Sequence, residues 1–60
     1  MEKHFYGVVS YEHSKTFQTK INVVADGKEQ AIDKIMESIF KRDFRNYMRI
    51  SKVNVTEGVN

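Results

Sequence analysis

Apolar and polar positions alternate through the first third of the chain and then change period at Ala25. Along residues 4–11, Phe5, Gly7, Val9 and Tyr11 fall on one side of an extended chain, and Tyr6, Val8 and Ser10 on the other. Apolar groups occur on both sides, which predicts the central strand of a small sheet. Glu12-His13-Ser14-Lys15 is a polar break of hairpin length. Residues 16–24 then alternate more cleanly, with Phe17, Thr19, Ile21 and Val23 inward and Thr16, Gln18, Lys20 and Asn22 outward. Two such runs joined by so short a break predict an antiparallel hairpin.

Beyond Ala25, Asp26 and Glu29 have the spacing of a capping box, with Gly27 and Gln30 as the one-residue alternative. Ala31, Ile32, Ile35, Met36, Ile39 and Phe40 recur at helical spacing and form one apolar stripe, predicting a helix over residues 28–40. Acids come early in this segment and Lys41 and Arg42 at its end, in the sense the helix dipole favours. Residues 43–47 read as the connection back, and residues 48–56 as a third strand. Met48 and Ile50 are one residue out of phase with Val53 and Val55. The strand therefore carries a bulge near Ser51-Lys52 or starts only at about Ile50.

The expected order is β-β-α-β: an α+β domain with one amphipathic helix packed on one face of a three-stranded antiparallel sheet. Placing the doubly apolar first strand in the middle gives the strand order 2-1-3. The far face of the sheet then stays open, carrying Tyr6, Val8, Gln18 and Lys20. Residues 4–56 form the ordered core of a single small domain, 1–60, and residues 57–60 a loose tail. Sixty residues bury a thin core. Without cysteine there is no disulfide, thiolate metal site or Cys nucleophile. A thin core and open strand edges make a homodimer through an exposed edge one expectation.

Charge changes the picture more than composition does. Residues 1–40 carry a net −1, residues 41–52 a net +4, and residues 53–60 a net −1. Lys41, Arg42, Arg45, Arg49 and Lys52 are opposed in their stretch only by Asp43, and Phe44 and Tyr47 are interleaved with them. A local basic and aromatic cluster beside a helix end points to a contact surface for an anionic partner. In the expected layout, Arg45, Arg49 and Lys52 line one edge of the sheet, with Lys41 and Arg42 beside them. Phe40 and Phe44 are expected in the core.

Enzymatic chemistry has little behind it. His4 and His13 sit near strand ends, and Ser10 and Ser14 are merely neighbours of His13 in a turn. Glu29, Asp33 and Glu37 are spaced four apart, and at about 1.5 Å per residue the outer two stand about 12 Å apart, too spread for one ion. No glycine loop is present to cradle a phosphate. No cofactor and no metal are expected. No apolar run approaches a membrane span of roughly 20 residues, and no signal peptide is apparent at the N-terminus, so a cytoplasmic protein without membrane contact is expected.

The layout from Phe5 to Val55 resembles the small inhibitors of bacterial RNA polymerase made by T7-like bacteriophages. The turn Ser10-Tyr11-Glu12-His13-Ser14 is similar to a segment there. So are Val24-Ala25 followed by Glu29-Gln30-Ala31, and the late run Ile50-Ser51-Lys52-Val53. The resemblance implies a domain that binds a charge-complementary surface of the polymerase and blocks promoter opening, using basic residues of its last strand. Lys52 matches one such position; Asn54 occupies the next, and the connection after the helix differs. The hairpin, the helix start and the basic stretch Lys41, Arg42, Arg45 and Arg49 are also similar in character to a small archaeal and eukaryotic large-subunit ribosomal protein.

The functional expectation is a non-catalytic binding protein, of the kind a phage or mobile element uses to occlude a host protein in the host cytoplasm. Its contact residues are Lys41, Arg42, Arg45, Arg49 and Lys52, with Tyr6 and Lys20 on an open sheet face. RNA or DNA binding through segment 41–52 is the alternative.

Overall fold

A computed structural model describes residues 2–58. Strands β1 (Lys3–Tyr11) and β2 (Ser14–Ala25) form the hairpin, followed by helix α1 (Lys28–Arg42), a short helix α2 (Phe44–Tyr47) and strand β3 (Ile50–Glu57). The sheet is antiparallel with order β2-β1-β3, as the doubly apolar first strand requires. Both outer strands are open edges.

Strand alternation decides which side chains meet α1. Phe5 pairs with Val23, Gly7 with Ile21 and Val55, and Val9 with Thr19 and Val53. These positions face the helix, and Phe5, Val9, Tyr11, Ile21, Ala25 and Val55 are buried with Ala31, Ile35 and Ile39. Val9 and Ile35 are wholly buried. Each such side chain contributes about 1.5–3 kcal/mol relative to remaining in water.

The phase slip in the last strand is resolved by both expected devices at once. β3 begins at Ile50, and its pairing with β1 jumps from Ser10–Lys52 to Tyr11–Ile50. The extra residue, Ser51, lets Ile50 face Tyr11 on the same side as Val53 and Val55. Met48 and Arg49 lie outside the strand, in the turn that precedes it.

The hairpin is tighter than the polar break implies. Only Glu12 and His13 form the turn, because Ser14 pairs with Tyr11. Against β1 the register then jumps to Ser10–Gln18, so Lys15, Thr16 and Phe17 bulge out of β2. The Ser14 hydroxyl shapes this bulge by accepting hydrogen bonds from the backbone N–H of Phe17 (2.9 Å) and Thr16 (3.3 Å).

Helix α1 starts one residue later than the Asp26 capping box implies. Gly27 is the N-cap, and the Gln30 side-chain oxygen accepts a hydrogen bond from the Asp26 backbone N–H at 2.7 Å. The helix runs on to Arg42, where the Asp43 N–H still bonds to the Ile39 carbonyl at 2.8 Å. The connection 43–47 is helical rather than a plain link. The Asp43 carboxylate caps α2, accepting from the backbone N–H of Asn46 (3.2 Å) and from its side-chain amide (3.0 Å). Glu57 and Gly58, expected in the tail, are held by strand pairing and by a Gly58 N–H bond to the His4 carbonyl at 2.7 Å. Val59 and Asn60 lie outside the described residues.

Candidate functional site

The local fold at the end of α1 decides how the basic segment is displayed. Asp43 ends one helix and caps the next, so the chain turns a corner at Asp43 instead of running straight into β3. Tyr47 packs against the core, while Phe40 and Phe44 stack around it. The Phe40 ring meets Phe44 edge-on at 5.2 Å and Tyr47 edge-on at 5.1 Å, and Phe44 lies parallel to Tyr47 at 6.2 Å. Such ring pairs favour edge-to-face and offset geometry because of the ring quadrupole.

Phe40 and Phe44, expected in the core, are not in it. They are 48% and 52% exposed, and the neighbouring Met48 is 69% exposed. The reason is geometric: α1 buries Ala31, Ile35 and Ile39, and Phe40 lies one residue round the helix from that line. The corner therefore presents a ridge of apolar groups to solvent, and Arg45 and Arg49 alternate with it along the chain.

The five cations of the segment are not one patch. Lys41 is neutralised locally by Glu37, one turn back, at 2.8 Å. Hydrogen bonding from Lys41, aided by its charge, holds the Glu37 carboxyl below its usual range; the same bond raises Lys41. Arg42 points to the other flank of α1, where it lines a groove of about 190 Å³ with Tyr11, Phe17, Thr19, Ile39, Asp43 and Asn46. Arg45 sits on α2, away from the sheet edge where it was expected, because residues 44–47 coil instead of extending. Arg49 occupies the turn after α2, where its carbonyl accepts the Glu12 N–H at 2.8 Å and ties the hairpin turn to the start of β3. Lys52 pairs with Ser10, so it projects from the sheet face opposite α1. Among the described residues, Arg42, Arg45, Arg49 and Lys52 are all exposed and make no ion pair.

Tyr6 and Lys20 lie on the open face, as alternation predicts. Tyr6 pairs with Asn22 and Thr56, and Lys20 with Val8.

The two histidines occupy unlike settings. His13 Nε2 lies 3.0 Å from the Asn46 side-chain oxygen, and its ring stacks on Tyr11 at 5.5 Å. It thereby joins the hairpin turn to α2. Phe17, released from the ladder by the bulge, stacks on the same tyrosine at 5.4 Å and is half exposed. The Tyr11 hydroxyl donates to Thr19 Oγ1 at 2.7 Å. His4 lies in β1 opposite Val24, on the open face.

Among the described residues, no cluster of three or more His, Cys, Asp or Glu side chains is arranged to hold a metal ion. None of the described helices is long and apolar enough to cross a membrane. The chain matches no family model, no curated protein and no solved structure.

The element that sequence reasoning missed is α2, together with the exposed ridge it creates. Its signal is present: Asp43 and Asn46 have N-cap spacing, and Phe40, Phe44 and Met48 recur every four residues.

Proposed function

We propose that this protein is a non-catalytic binding domain that docks on an acidic surface of a protein partner through its α1–α2 corner. The observation that carries the reading is the half-exposed Phe40–Phe44 pair with Met48, set beside arginines that have no acidic partner among the described residues. Aromatic residues, Met and Arg are the types enriched where protein interfaces concentrate their binding energy. The apolar ridge would supply buried area and Arg45 and Arg49 the charge complementarity. Lys41, already paired with Glu37, contributes less.

The sequence resemblance to phage polymerase inhibitors makes bacterial RNA polymerase the first partner to test. In that setting the domain acts by occupying a polymerase surface in the host cytoplasm. Calorimetric titration of the purified polymerase should show a saturable interaction. Phe44→Ala and the double variant Arg45→Ala/Arg49→Ala should each weaken it about tenfold or more, the scale of an interface hot spot. An undetectable interaction would remove polymerase as the partner. Tight binding indifferent to both variants would remove the corner as the site.

A further inference from the structure

We infer that the uncovered face of the sheet is a second binding surface, independent of the corner, that takes a short stretch of single-stranded nucleic acid. The strand register fixes what this face displays. Three successive rows cross the sheet: Asn22, Tyr6 and Thr56; Lys20, Val8 and Asn54; Gln18, Ser10 and Lys52. None of these positions carries an acid, so with Lys20 and Lys52 the three rows hold two uncompensated positive charges. A polyanion is attracted to such a face.

The rows have the parts that single-strand recognition needs. Tyr6 stands on the central strand and is 45% exposed, giving a ring on which an unpaired base can stack. Lys20 and Lys52 stand on the two outer strands, one row apart and about 12 Å from each other at about 4.8 Å per strand and about 6.7 Å per row. Lys20 lies one row and Lys52 two rows from Tyr6, on the same side of it, where they meet phosphates of a chain leading away from the ring. Asn22, Asn54 and Gln18 offer amide donors and acceptors to base edges; Gln18 donates to the Ser10 hydroxyl at 3.3 Å. Rows repeat about every 6.7 Å along a strand, so the face accommodates roughly two to four nucleotides. The apolar groups of this face are Tyr6, Val8 and, one row beyond Tyr6, Val24 opposite His4, a small area for the core of a protein interface. Bases already paired in a duplex have no face free to stack on Tyr6.

Fluorescence anisotropy of labelled oligothymidylate and of a duplex of equal length, at low salt, tests the inference. The single strand should bind and the duplex should not. Its log affinity should fall with log salt at a slope of about −1.4, two phosphate contacts at about −0.7 each. Lys20→Ala should bring that slope to about −0.7. Tyr6→Ala should weaken binding about fivefold or more, while Tyr6→Phe, which keeps the ring, retains it. Arg45→Ala/Arg49→Ala should leave it unchanged. Three results overturn the inference: no binding to the single strand; a steep slope that collapses with the arginine pair; or unaltered affinity in a Tyr6→Ala variant whose melting curve shows it folded.

Discussion

Gly7 lies directly beneath Ile35: a Cβ built on the glycine stands 2.5 Å from the isoleucine Cδ1. The glycine pairs with Ile21 on one side and Val55 on the other, so it is the gap in the central strand into which the helix settles. Its role is close approach, not an unusual backbone angle, since no described glycine has positive φ. Gly7→Ala should therefore cost about 1–3 kcal/mol, because the terminal methyl of the wholly buried Ile35 must shift within packed surroundings. Ile35→Val removes the offending methyl and alone should cost about 0.5–1.5 kcal/mol. Combined, the two should be less damaging than their sum, a coupling that urea denaturation of the four species measures. Strict additivity would contradict the contact.

Asp43 should matter to stability and to display together. Its carboxylate caps α2 through the Asn46 N–H, and α2 sets the Phe44 ring and Arg45 in place. Asp43→Ala should cost about 1 kcal/mol, while Asp43→Asn, which can still cap, should cost much less. Circular dichroism melting curves compare the two. In the partner titration, Asp43→Ala should also weaken binding although Asp43 is itself acidic. Stronger binding in Asp43→Ala would mean that its charge outweighs its capping.

The Glu37–Lys41 pair gives a pH signature. Glu37 is lowered, so its contribution is present above the ordinary glutamate range and is lost as pH falls through the lowered value. Lys41 is raised, so its contribution is full below the ordinary lysine range and is lost as pH rises through the raised value. Both side chains are well exposed, which makes the effect on stability small and sensitive to salt. The melting-temperature gap between wild type and Glu37→Gln should be slight at neutral pH and close in acid and in high salt. NMR titration should place Glu37 below the ordinary glutamate range, and Lys41→Ala should return it to that range.

The same pair distinguishes the cations in function. Lys41→Ala should weaken partner binding less than Arg45→Ala, since its charge is already offset by Glu37. Equal losses in a side-by-side titration would show that Lys41 leaves Glu37 to join the interface.

Most of the fold was legible because its signals are local. The alternation in β1 and β2, the stripe at Ala31, Ile35 and Ile39, and the phase slip before Val53 each follow from one period or from its interruption. The doubly apolar β1 also made the strand order readable. What could not be read was the display of the basic segment. Whether Phe40 and Phe44 are buried depends on which side of α1 meets the sheet, within a stripe broad enough to include both Ile39 and Phe40. The separation of Arg42, Arg45 and Lys52 onto three surfaces depends on α2, whose single turn is set by one aspartate side chain. A cluster in sequence is therefore not a cluster in space here.

Attenuation of amide signals in isotope-labelled protein, on adding unlabelled bacterial RNA polymerase, tests the central claim most directly. The strongest losses should fall on residues 40–49, with Glu29 and Asp33 on the acidic flank of α1 spared. Losses centred on that acidic flank, or on the hairpin turn at Glu12 and His13 alone, would contradict docking through the corner.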